Sequence, residues 1–206
     1  MLYNYFLPTY QKVGIFAQIY FLSTRDAIIK LGDELIRDKG YNAFSFYDIS
    51  KSLGIRNASI HYYFPTKEHL AISIIQQQQN ALKELIESTA GKTPLQKLNA
   101  YFSIYNSASA QHRVCLVGSL ATDLHTIDLP VRKELKILVD GIISWVTAIL
   151  TEGRSGSVFY FEGPARAKAL MVITNMLAGV QLARITGEKD FQQIKSRILK
   201  ELKQQL

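Results

Sequence analysis

The stretch from Ser45 to Phe64 constrains this fold more than any other, because it packs two short helical patterns and a glycine into twenty residues. Ser45 is a helix cap, and Asp48, three residues on, completes a capping box. Phe46, Ile49 and Leu53 then follow the three-and-four spacing of a buried face. Gly54 stops this helix and Ile55 plugs the turn. A second short helix over 57–63 carries Ile60 and Phe64 as core contacts, and Pro65-Thr66 breaks it. Helices this short are not stable alone, so both must rest on a shared support. The pattern predicts a helix-turn-helix, with the second helix presented outward.

The rest of the chain reads as helix. Ser23 and Asp26 form another capping box, and Ile28, Leu31, Leu35 and Ile36 mark the buried face of a helix over 24–39 that ends at Gly40. Thr66 caps a long helix over 67–89, with Leu70, Ile74, Leu82, Leu85 and Ile86 inward and a polar middle at Gln76 to Gln79. Further helices are predicted over 94–108, 113–125, 130–152, 164–186 and 190–202. A loop spans Gly153 to Gly163, and Gly187 breaks the chain before the last helix. With no strand-rich segment and no internal repeat, the predicted fold class is all-α. It divides into an atypical extension (1–22), a three-helix helix-turn-helix unit (23–69) and a larger helical bundle (70–206).

Residues 1–22 are rich in Tyr, Phe, Leu and Ile, but Pro8, Gln11, Lys12 and Gln18 interrupt them. The cleanest apolar run, Val13 to Leu22, is half the ~20 residues of a membrane span. No early basic residues or small-residue cleavage site mark a secretory signal. Three readings remain open: a loosely packed appendage, a translation start placed too far upstream, or a membrane-contacting anchor. The single cysteine, Cys115, cannot form an internal disulfide or a multi-cysteine zinc site, and it suits a reducing cytoplasm. His112, Cys115, Asp123 and His125 match no standard metal spacing. Neither a metal nor a cofactor is expected.

The net charge of +7 is compatible with nucleic acid, yet it is not concentrated on the helix-turn-helix. Residues 21–69 hold seven Lys/Arg against six Asp/Glu, whereas residues 70–206 hold sixteen against eleven. The spacing of the anchors therefore carries the reading, and the charge does not. A helix-turn-helix puts the N-terminal side chains of its second helix into the DNA major groove. Asn57, Ser59, His61, Tyr62 and Tyr63 are the polar-tipped candidates for that outer face.

At these residues a family resemblance becomes specific. The run from Tyr47 to Ile55 (YDISKSLGI), followed by Ala58 to Leu70 (ASIHYYFPTKEHL), resembles the signature of the tetracycline-repressor (TetR) family. The match covers about residues 24–70, and beyond it only helical layout and length agree. The resemblance implies a DNA-binding domain joined by a fourth helix to a ligand-binding and dimerisation domain. A small-molecule effector would reorient that helix and release a double-stranded operator. Carried over by position, Ser59, His61, Tyr62, Tyr63 and Lys67 would touch DNA, and Thr24 and Ser45 would add backbone contacts. Lys67 suits a phosphate, while Arg56 or Asn57 suits a base edge. Arg56 stands where the family usually has a small capping Ser, which leaves Asn57 to take over the cap. His61 stands where the family usually has Tyr.

In the larger domain, Tyr101, Phe102, Tyr105, Trp145, Met171, Asn175 and Met176 are candidates to line an effector pocket. The run from Arg113 to Gly118 resembles a segment of electrophile- or redox-responsive relatives, in which the cysteine is the sensor. A helix N-terminus and Arg113 would lower the Cys115 thiol pKa; the plainer alternative is a buried small hydrophobe. Small residues in 164–186, namely Ala165, Ala167, Ala169, Ala178, Gly179 and Ala183, suggest a homodimer face shared with the last helix. The expectation is a ligand-responsive, homodimeric, cytoplasmic repressor without a membrane partner. The alternative is a helical ligand-binding or scaffold protein that binds no operator. An enzyme is not expected, because no nucleophile–base pairing or phosphate-cradling loop is visible.

Overall fold

The computed structural model describes residues 23–110 and 113–203. The expected extension over 1–22 lies outside them, as does His112. The described residues form nine α-helices and one 3-10 turn, with no strand among them. These are α1 (Thr24–Lys39), the turn Tyr41–Ala43, α2 (Phe46–Leu53), α3 (Asn57–Tyr63), α4 (Lys67–Ser88), α5 (Pro94–Ala110), α6 (Leu116–Thr122), α7 (Leu129–Ser155), α8 (Ala165–Thr186) and α9 (Glu188–Lys203).

The first four helices start and stop where local chemistry dictates. The Ser23 hydroxyl caps α1 by accepting from the Asp26 N–H. Gly54 closes α2 with φ of 66°, a left-handed conformation that a side chain resists. Ile28, Ile36, Ile49, Ile60 and Phe64 pool into one core beneath α1–α3. Leu70 and Ile74 of α4 extend it, so α1 rests on both the helix-turn-helix and the long connecting helix.

The C-terminal helices pack as a bundle in which α7 lies against α4, α5 and α8, and α9 covers α8. Gln79 of α4 donates to the Glu134 carbonyl (3.0 Å) and carboxylate (2.9 Å) of α7, which gives the polar middle of α4 a use inside the bundle. Two expectations are corrected here. The helix predicted over 113–125 shrinks to Leu116–Thr122, because Cys115 is extended and caps it. The loop after α7 begins only at Gly156, and Phe159 within it is fully buried. Its ring lies so close to Gly153 that a Cβ there would sit 2.0 Å from Phe159 Cδ2.

Helix α8 divides its small residues between two faces. Ala165, Ala169, Gly179 and Ala183 point into their own protomer, letting α8 approach its neighbours closely. Ala167 and Ala178 lie on the outward stripe with Met171, Thr174, Leu182 and Ile185, all exposed. By length and composition α8 also qualifies as a membrane span. Its packing on α5, α7 and α9 is that of a bundle helix.

Candidate nucleic-acid interface and cavity

The outer surface of α3 is built by anchoring its inner one. Ile60 and Phe64 are buried almost completely, which fixes the helix rotation. Tyr62, 82% exposed, and the less exposed Tyr63 then face outward with their rings edge-to-face at 5.0 Å. Thr24, Arg56, Ser59, Tyr62 and Tyr63 line one open groove, so the start of α1 and α3 share one surface. His61 stands apart, with its ring edge-on to Phe46 at 5.0 Å and Nδ1 3.3 Å from the Pro65 carbonyl. Arg56, not Asn57, occupies the cap position of α3, and no side chain bonds the helix start there. Asn57 is instead the exposed first residue of the helix.

Two candidates are already engaged. The Ser45 hydroxyl and N–H both donate to Asp48 Oδ2 at 2.7 Å. These bonds hold the Asp48 carboxyl below its ordinary range. Lys67 does not stand free on the outer face. Its ammonium donates to the Phe44 carbonyl and lies 4.0 Å from the Phe44 ring centroid and 4.8 Å from that of Tyr41. Burial pushes its pKa down, partly offset by Asp123 and Asp48. As the chain stands, Lys67 clamps the link between α1 and α2. Sequence reasoning missed Tyr47, which is 64% exposed on α2, one turn before the exposed Lys51. A large aromatic on the polar face of so short a helix was the available signal.

The same link is gripped from the bundle. Asp123, at the end of α6, accepts from the Tyr41 N–H at 2.8 Å and from Asn42 Nδ2 at 3.1 Å. Asn42 Nδ2 also reaches Thr126 Oγ1 at 2.6 Å. Buried Ser119 of α6 donates to the Ile36 carbonyl in the last turn of α1 at 2.5 Å. Burial, Asp128 and Glu68 push the Tyr41 hydroxyl up to about 12, so it stays neutral at physiological pH. Helices α4 and α6 thus converge on the segment that delivers the chain into the helix-turn-helix.

Beside this joint lies a cavity of about 240 Å³. Its walls come from Arg37 of α1, Leu82 and Leu85 of α4, Tyr105 of α5, Cys115 and Val117 at the start of α6, and Ile142 of α7, among others. Of the expected pocket residues, Tyr105 and Cys115 are there. Tyr101, Phe102, Trp145 and Met176 are core, and Tyr101 donates to or accepts from Tyr105 at 3.0 Å. Met171 is on the exposed stripe of α8, and Asn175 lines an outer groove against α9. Sequence periodicity cannot separate a cavity wall from a core contact, since both are apolar inner positions.

Cys115 caps α6, with the Gly118 N–H donating to Sγ at 3.2 Å. Its thiol pKa is nevertheless raised, because burial outweighs that bond and the charge of Arg37. This corrects the expected activation. Arg113 pairs instead with Asp38 at 2.8 Å and Glu34 at 3.8 Å. Among the described residues, no three His, Cys, Asp or Glu side chains gather as a metal site would require.

Residues 28–74 match the family model described as bacterial regulatory proteins, tetR family. A TetR-family transcriptional regulator from Agrobacterium tumefaciens superposes with a TM-score of 0.81 at 30% identity, covering 87% of this chain and 97% of that one. The fatty acid metabolism regulator protein of Bacillus subtilis is 28% identical over 64% of this chain and 69% of its own. The transcriptional repressor NemR of Escherichia coli is 21% identical over 79% of this chain and 85% of its own.

Proposed function

The chain belongs to the TetR family of transcriptional regulators, and on that premise we propose that it is a cytoplasmic repressor, gripping a near-palindromic operator as a homodimer and released by a small molecule. The observation that carries the DNA reading is α3 itself: Ile60 and Phe64 hold it from beneath while Arg56, Ser59, Tyr62 and Tyr63 stay available. Tyrosine hydroxyls and Ser59 would fix the register on phosphates, and Arg56 or Asn57 would read base edges. Thr24, in the same groove, and the exposed Tyr47 of α2 are further candidates for backbone contacts. In this reading, 23–69 is the DNA-binding unit and 70–206 the effector and dimerisation unit. Regulation is its whole activity, without catalysis.

The exposed stripe on α8 supports the dimer, because it repeats at helical spacing and carries Met171, Leu182 and Ile185 into solvent. Two copies would then present two α3 helices to half-sites one or more turns apart. The cavity is the effector site in this reading. A ligand that pushes on the start of α6 moves Ser119 and Asp123, and through them Ile36, Tyr41 and Asn42. The segment entering α2 shifts with them.

The test is selection from random DNA duplexes with the purified full chain, alongside its sedimentation as a dimer. An enriched near-palindrome, bound less tightly as salt rises, is the expected result. Absence of any sequence preference would instead assign the chain to a helical ligand-binding or scaffold role.

A further inference from the structure

Among the described residues that line the cavity, Arg37 is the one charged side chain, and it belongs to α1 of the helix-turn-helix unit, not to the bundle. Its Nε donates to both carboxylate oxygens of Asp33, at 2.9 and 2.8 Å. Among the described residues, neither Nη group has a partner, although the side chain is only 17% exposed. Unmet donors on a largely buried cation are costly, and a ligand oxygen would relieve them. Of the other polar groups in the lining, Tyr105 is engaged by the Tyr101 hydroxyl and Cys115 by the Gly118 N–H, which leaves the neutral Gln78 amide as the second group able to meet a ligand oxygen.

We propose that the cavity takes a compact apolar monocarboxylate, its carboxylate on the Nη groups of Arg37 and its chain against Leu82, Leu85 and Ile142. Guanidinium presents a planar fork that suits a carboxylate. A single carboxylate is the most the site suits, because Asp33 already balances the guanidinium charge and only the Nη groups are left to donate. The lining is otherwise mostly apolar, which excludes a strongly hydrated ligand. The volume, about 240 Å³, falls below the ~300–1,000 Å³ of sites for drug-sized molecules, so the ligand is small.

This assignment gives α1 a direct part in sensing. Arg37 follows Ile36, whose carbonyl holds both Ser119 of α6 and the Gly40 N–H. A carboxylate drawn onto Arg37 therefore acts on the same turn by which α6 holds α1. The proposal rests on reading the cavity as the effector site, but not on operator binding, which the duplex selection measures separately.

The experiment is calorimetric titration of the full-length protein with hexanoate and with its neutral analogue hexanamide. Hexanoate should bind at least tenfold more tightly. Arg37→Met should erase that preference while circular dichroism stays helical. Ile142→Trp, which fills the cavity and alters no charge, should abolish binding of both. Equal binding of the two probes to the unmodified protein overturns the proposal, as does no binding by either. Hexanoate binding that survives in Arg37→Met overturns the role of Arg37. Should that variant lose its fold, hexanoate binding that survives in Ile142→Trp overturns the site.

Discussion

Asp123 accepts a 2.8 Å hydrogen bond from the backbone N–H of Tyr41, 82 residues earlier in the chain. A short helix of the bundle thereby holds the peptide that leads into the helix-turn-helix. Replacing Asp123 by Ala leaves that N–H without its acceptor. A buried donor so orphaned costs about 1–3 kcal/mol, and the partial exposure here favours the lower end. Urea denaturation should show a loss of about 1 kcal/mol, with faster hydrogen exchange at the Tyr41 amide. Asp123→Asn keeps an acceptor and should lose less.

Tyr62 is anchored by its neighbours and not by itself. Being 82% exposed, it contributes little to the fold, so Tyr62→Ala should leave stability within about 0.5 kcal/mol. Affinity for the selected operator should fall at least tenfold in a mobility-shift titration, about 1.4 kcal/mol. Arg56→Ala separates two roles. If Arg56 meets a phosphate, the slope of log affinity against log salt drops by about 1; if it reads a base, specificity relaxes at one position.

The tight approach of Phe159 to Gly153 makes that glycine irreplaceable without movement. Gly153→Ala should destabilise by about 1–3 kcal/mol in urea, as overpacked cores do. Combined with Phe159→Ala, it should cost clearly less than the two single losses summed, because the clash disappears with the ring.

Burial raises the Cys115 pKa, so the thiol is protonated at neutral pH. Iodoacetamide should label it more slowly than free cysteine at pH 7.5, with the rate still climbing past pH 9, the ordinary thiol value. Because the folded pKa lies above the unfolded one, this group's contribution is intact at lower pH. It is lost as pH rises through and beyond the ordinary thiol range. Arg37→Met removes a charge that favours the thiolate and should slow labelling further. Labelling faster than free cysteine would restore the activated-sensor reading.

Cap residues, glycine stops and apolar spacing placed α1, α2, α3 and the start of α4 correctly, and with them the outward face of α3. Those signals act within a turn or two of chain, so a reader of residues in order can see them. The Ser23–Asp26 and Ser45–Asp48 pairs lie three residues apart. The family signature falls on the same local run, which is why the regulator was recognisable before any fold was known.

What depended on distant contacts was decided by packing alone. The Lys67 ammonium, suited by its helix-start position to a phosphate, donates to the carbonyl of Phe44, 23 residues away. Cys115 looked activated by Arg113, but Arg113 turns to Asp38, and burial sets the thiol's protonation. The cavity joins α1, α4, α5, α6 and α7 around Arg37, a conjunction that no local pattern encodes. Periodicity fixes which way a side chain points. What it meets there, an open groove, a neighbour's ring or a cavity, follows from how the helices close on one another.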